Sequence, residues 1–185
     1  IDRFYTLKKI VEEDPQLDKK KAQKKLRAFV ESDSYTIDKK AAMMVEHFHE
    51  QVIAKGKIGG QARAMVVTSS IPRCIEYFYA INKHLAERHS PYKAIVAFSG
   101  DHKYNGQEPP LTSAIMNGFA DSKIPKEFKK DPYRFLVVAD MFQTGFDEPL
   151  LHTMYVDKQL YDIQAVQTLS RLNRCHPKKH DTCVL

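Results

Sequence analysis

The feature that most constrains this chain is the run Phe135-Leu-Val-Val-Ala139, five apolar residues, two of them β-branched, with no polar position between them. A half-exposed strand alternates, whereas a strand buried on both faces of a parallel sheet reads as a continuous apolar run. The run stops at Asp140 and gives way to a polar loop with one glycine, Gln143-Thr144-Gly145. In open α/β sheets, that position just past the carboxyl end of a strand is where ligands sit.

The rest of the chain from Arg63 keeps the same rhythm of strand and helix, which implies a parallel sheet with right-handed crossovers. Strands are expected at Ala64–Thr68, Ala94–Phe98, before Asp140, at His152–Val156 and at Thr182–Leu185, making five in all. A helix after Pro72 should bury Ile75, Phe78, Tyr79, Leu85 and Ala86. The connection Asp101–Thr112 holds Gly106 and Pro109-Pro110 and reads as a mobile surface loop too polar to pack.

Residues 1–60 read differently. Leu17–Ser32 is dense in Lys, Ala, Leu and Arg, and Asp38 is placed to N-cap a helix running to Lys55, stopped by Gly56. Ala42, Val45, Phe48 or His49, and Val52 should form its buried face. Gly59-Gly60 marks the expected boundary between a helical segment, 1–60, and an α/β domain, 61–185.

One helix carries a pattern of its own. Over Ile163–Arg174, Gln167, Arg171 and Arg174 are spaced i, i+4 and i+7 and share a narrow sector, with Ala165, Val166, Leu169 and Leu172 opposite, against the sheet. Two guanidinium groups aimed at one point suit bidentate recognition of phosphate at any working pH. The same spacing also suits a solvated helix face.

Gln167-Thr-Leu-Ser-Arg-Leu-Asn-Arg174 resembles the sixth conserved motif of superfamily 2 helicases, in the form found in the motor (R) subunit of type I restriction enzymes. Gln143-Thr-Gly-Phe-Asp-Glu-Pro149 resembles the fifth motif of the same subunits, and the joining Leu150–Lys158 is similar to them too. The resemblance covers Arg63–Leu185 and implies the second RecA-like domain of such a subunit, a three-layer α/β fold, C-terminally truncated. It implies Arg171 and Arg174 as arginine fingers with Gln167 orienting in the same site, and Gly145 and Asp147 facing the nucleotide. Thr68-Ser69-Ser70 corresponds to the fourth motif, with Arg73 as its displaced arginine; with Ser99-Gly100 and Gln143-Thr144 it forms the expected track for the DNA backbone.

The implied parent hydrolyses ATP with Mg²⁺, translocates double-stranded DNA, cuts it as a type I site-specific deoxyribonuclease, and works with modification and specificity subunits. No phosphate loop is present, since Gly56-Lys-Ile-Gly-Gly60 lacks the Gly-Lys-Ser/Thr ending. That loop and the Mg²⁺-binding acid are expected from a first motor domain, and the nuclease carboxylates from a separate N-terminal one. The segment alone is therefore expected to bind no cofactor and to be inactive. A chain opening at Ile1 and closing on a strand is read as a piece of something longer. The alternatives are another superfamily 2 DNA or RNA helicase, and a non-catalytic binding module of flavodoxin-like topology.

Composition adds little. A net charge of +6, from 29 Lys plus Arg against 23 Asp plus Glu, suits a polyanionic partner, though the run Lys19–Lys25 supplies part of it and reads as a solvated face. The three cysteines, Cys74, Cys175 and Cys183, have no paired spacing, which suits a reducing cytoplasm. No apolar run approaches the ~18 residues of a membrane span. No metal site is expected: His47 and His49 diverge on a helix, and Cys175-His176 with His180 lacks a fourth ligand.

Overall fold

The computed structural model describes residues 34–104, 106, 108–139, 141 and 146–185. The expected helix at Leu17–Ser32, the lysine run, Asp140, and the loop residues Gln143, Thr144 and Gly145 lie outside the described residues.

Five strands form one all-parallel sheet: β1 (Arg63–Thr68), β2 (Lys93–Ala97), β3 (Tyr133–Ala139), β4 (Leu151–Asp157) and β5 (Cys183–Val184), in the order β2-β3-β1-β4-β5. Both faces are covered, which gives the three-layer, RecA-like α/β arrangement. One face, Ala64, Val66, Val96, Phe135, Val137 and Tyr155, packs beneath α1 (Ser34–His47) and α2 (Ile71–Glu87). The other, Met65, Val67, Ile95, Leu136, Val138 and Met154, packs against Ile124 and Phe128, Phe146 and Leu172. Phe135 to Val138 are each fully buried, so the apolar run has the two-sided environment its composition requires.

The first described helix differs from its expected form. Asp38 lies inside α1, and its carboxylate takes Lys83 and His84 of α2 at 3.0 Å each instead of capping its own helix. The Lys83 bond chiefly, with His84, holds that carboxyl below its ordinary range. The buried stripe is Ile37, Ala41, Val45, Phe48 and Val52, so Ala41 replaces the expected Ala42. After His47 the helix widens into a π turn, Phe48–Ile53, and Gly56 ends it at φ 62°, where a side chain would be strained.

These residues share one core with the sheet. Two buried arginines fasten the junction after them. Arg134 donates to the carbonyls of Gly60 and Ala62 at 3.2 and 3.3 Å, and Arg63 to those of Gln61 and Phe128. Their guanidinium planes lie over the rings of Tyr92 and Phe128, a placement that suits a weakly hydrated cation.

Two further expectations are corrected. On α2, Tyr79 and Ala86 are exposed, while Cys74, Tyr77 and Ile81 are buried with Ile75 and Leu85, because α1 covers one flank of the helix as the sheet covers another. The loop after β2 is not too polar to pack. His102 and Leu111 exchange two backbone hydrogen bonds of 2.8 Å, and Leu111 is buried in the core.

The outer edge of β2 is sealed by side chains. Ala94 N–H donates to Asn82 Oδ1 (3.0 Å), and Val96 N–H to Asn117 Oδ1 (2.9 Å). Asn117 Nδ2 returns a bond to the Val96 carbonyl (2.7 Å), and Ser113 Oγ both accepts from and donates to Phe98 (2.8 Å each). An edge strand left open is a template for pairing with other chains. Replacing Asn117 by Ala removes a donor and an acceptor that the Val96 peptide group uses, with an expected cost of about 1–3 kcal/mol. Urea unfolding of the N117A variant checks this; an unchanged midpoint would mean that water serves the edge equally well.

Candidate functional site

The residues singled out by sequence fall into two groups in the fold. The first lies along the carboxyl ends of the strands. In register, Thr68 stands beside Ala139 on one side and Asp157 on the other, and Ala97 beside Val138, so the segments leaving β1, β2 and β3 emerge along one rim. Ser69, Ser99 and Gly100 are exposed there and Ser70 is half-buried, with Ser69 Oγ accepting from Arg73 Nη1 at 2.9 Å.

Thr68 has a different role from the one expected. It is fully buried, and its hydroxyl lies 2.9 Å from the Val138 carbonyl and 3.3 Å from that of Ser70. Its side chain closes the strand end and offers nothing to a ligand. Sequence reading missed what continues the rim on the far side. Asp157 takes Tyr77 Oη at 2.7 Å and the Lys40 ammonium, and so ties α1 and α2 to the end of β4. The only local signal was a charge directly after an apolar strand.

The second group is built by α3 (Asp162–Leu169) and the segment before β4. The α-helix stops at Leu169 and tightens into a 3₁₀ turn, Ser170–Asn173, so Arg174 is not on the helix at all but is the first extended residue beyond it. Gln167 is exposed, and its carbonyl accepts from Arg171 Nε (3.2 Å) and Ser170 Oγ (3.0 Å). Leu172 is buried and Leu169 half-buried as expected, but Val166 is 69% exposed, and Thr168 is buried instead.

The two motif segments nevertheless meet. Arg171 Nη1 reaches the Phe146 carbonyl at 3.5 Å, and Arg174 Nε pairs with Asp147 Oδ1 at 3.1 Å. Phe146 and Leu172 pack in the same cluster beneath them. Between these contacts Glu148 is buried, with Oε1 accepting from Leu150 N–H at 2.9 Å. The Arg174–Asp147 pair is open to solvent, its side chains 44% and 69% exposed. Such a pair is worth at most about 1 kcal/mol, so an incoming phosphate can replace the carboxylate at small cost.

The chain returning to β5 is fastened at several points. Lys179 Nζ donates to the carbonyls of Leu172 and Arg174. Asp181 takes Lys57 and His152 Nε2, and Lys178 lies against Gly59, where an added Cβ would come within 2.9 Å of its Cδ. Nucleophilic chemistry finds no support at Cys74, whose thiol burial pushes up to about 12. Among the described residues no group of three or more His, Cys, Asp or Glu side chains could hold a metal ion, and no helix is long and apolar enough to cross a membrane.

Residues 111–184, which hold both motif segments, match the family model described as type I restriction enzyme subunit R domain 3. The chain belongs to the family of type I restriction enzyme R subunits. Its relatives include the HindI endonuclease subunit of Haemophilus influenzae, 29% identical over 147 residues, or 75% of this chain and 13% of that protein. A Methanocaldococcus jannaschii sequence named as the MjaIXP endonuclease subunit is 30% identical over 158 residues, covering 84% of this chain and 14% of the relative. The SauCOLORF180P endonuclease subunit of Staphylococcus aureus is 39% identical over 64 residues, covering 35% and 6%. This R-subunit chain therefore spans about a seventh of the length of the relatives that match most of it.

Three histidines of this R-subunit chain are held below their ordinary pKa, in each case chiefly by burial: His47, His49 and His152. The phenol of Tyr155 gives its proton to the Met44 carbonyl, so His47 donates from Nδ1, and His152 donates from Nε2 to Asp181. A lowered imidazole pKa means that the unfolded chain takes up protons the folded one refuses. Stability is then full above about pH 6.5 and falls as the pH drops below that value. Melting temperatures between pH 8 and 5 should decline towards acid, with His49→Asn flattening part of the slope. A rise in stability towards pH 5 would contradict it.

Proposed function

We propose that this segment is the arginine-bearing half of an ATP-hydrolysing site, in the second motor domain of a superfamily 2-type R subunit that translocates double-stranded DNA. The observation that carries the reading is the meeting of the two motif segments, Arg171 with Phe146 and Arg174 with Asp147. Segments 25 or more residues apart in sequence converge so that two guanidinium groups and the 146–148 backbone occupy one place. A pair of guanidinium groups, one half-buried and one accessible, fits a triphosphate, which arrives as substrate.

In this reading the opposing motor domain brings the phosphate loop and the acids that hold Mg²⁺, and the metal travels with the nucleotide. Arg171 and Arg174 stabilise the charge that builds on the transferred phosphoryl group, Gln167 orients within the same site, and Asp147 with Gly145 faces the nucleotide. Because the arginines must reach across a gap between two domains, turnover is coupled to closure, and closure to movement along DNA. Ser69, Ser70, Ser99 and Gly100, with Gln143 and Thr144, contact the sugar-phosphate backbone and carry no sequence information. Recognition and methylation of the DNA site fall to the specificity and modification subunits, and cleavage to a nuclease domain of the same subunit; the relatives' names as endonuclease subunits support that assignment.

In the full-length subunit, Arg171→Ala and Arg174→Ala should each lower DNA-stimulated ATP hydrolysis by about 10³-fold or more, as removal of a finger does in related phosphoryl transfer. DNA binding and melting temperature should change little. Retention of full turnover by both variants would leave these arginines as surface charge.

A further inference from the structure

The arginine pair stands on a weak piece of secondary structure. A 3₁₀ turn has poorer hydrogen-bond geometry than an α-helix, and the carbonyls at a helix end have no partner within the helix. Here one of those carbonyls, that of Leu172, and the carbonyl of Arg174 just beyond the turn are taken by one cation. Lys179 Nζ donates both to Leu172 O and, at 3.2 Å, to Arg174 O. We propose that Lys179 is a positioning residue for the finger arginines, a strut that fixes the direction in which the chain leaves the turn and so where Arg174, and through the turn Arg171, present their guanidinium groups. This rests on the proposed role of those arginines in ATP hydrolysis.

The strut has a rigid footing. Lys179 N–H donates to the His176 carbonyl at 2.9 Å, and Lys178 N–H to His176 Nδ1 at 3.2 Å, so the backbone on which the side chain stands is a closed turn with Pro177 inside it. On one side Lys178 lies against Gly59; on the other Asp181 is held by Lys57 and His152. The far end of the strut is as well defined. Arg174 meets Asp147, and Leu172 is buried under Phe146. Lys179 is half-buried, and its ammonium is already committed to two carbonyls, so it is badly placed to bind phosphate itself. That burial also lowers its pKa, a cost that the two carbonyl contacts offset.

A residue that acts through another loses its effect when the other is gone. In single-turnover, DNA-stimulated ATP hydrolysis by the full-length subunit, Lys179→Met keeps the length of the side chain and removes its donors. It should slow the chemical step by about 10- to 100-fold, the scale of an ångström-level misplacement, while ATP binding is retained. Lys179→Arg, which can still reach both carbonyls, should recover most of the rate. The deciding measurement is the double variant: in an Arg171→Ala, Arg174→Ala background, Lys179→Met should cost nothing further. If the two losses multiply, or if Lys179→Met turns over normally, Lys179 serves folding alone and the inference is overturned. If the arginine variants themselves keep full turnover, the reading beneath it falls first. Should Lys179→Met be unfolded at the assay temperature, Lys179→Gln, which keeps a shorter donor, carries the same cycle with the same criteria.

Discussion

A parallel strand in the middle of a sheet has no side that faces water, and β3 imposes that condition on everything around it. Its fully buried residues must be covered from both directions, so helices have to lie on each face of the sheet. α1 and α2 form one cover; the short elements around Ile124 and Phe128, the segment at Phe146 and the turn at Leu172 form the other. The functional argument begins with that second cover. Phe146 and Leu172 are brought together because both are needed to shield Met65, Leu136 and Met154. Arg171 and Asp147 are their sequence neighbours, and they are carried to the same place as a consequence. Core packing thus does the positioning, and the charged contacts refine it.

Parts of this were legible because they are local. An apolar run of strand length, a proline at the start of a helix and a glycine at φ 62° each report their own surroundings. What was misread depends on partners far along the chain. Asp38 has the chemistry of a helix cap, yet residues some 45 positions away, Lys83 and His84, claim its carboxylate. Tyr79 has the composition of a core residue, but α1 arrives on the flank of α2 that favours Tyr77. In the candidate site the i, i+4, i+7 spacing set Arg171 one turn beyond Gln167, whose carbonyl it meets. It could not foresee that the helix tightens at Ser170 and leaves Arg174 in extended backbone. Lys179 carried no signal at all, because a lysine in a Lys-Lys-His run looks like solvent-facing charge until its two carbonyl acceptors are seen.

The buried arginines offer a contrast with the candidate fingers. Arg63 and Arg134 are buried, donate to backbone carbonyls and have their planes covered by aromatic rings, with Arg134 Nε also paired to Asp131 at 2.8 Å. Breaking such an arrangement would strand a charge in the interior, and so they are fixed. Arg174 has an exposed carboxylate that solvent already competes for. The same side chain is thus used once as a rivet and once as a replaceable contact, and burial alone separates the two uses.

The sealed edge of β2 bears on how such a sheet can grow. Asn82, Asn117 and Ser113 occupy the hydrogen-bonding positions that a sixth strand would need on that side. At the opposite margin β5 pairs, among the described residues, with β4 alone. Any strand added to this sheet, from elsewhere in the polypeptide or from a neighbouring molecule, is directed to the β5 margin. Three small polar side chains therefore give the sheet a polarity of assembly, with one closed end and one extensible end.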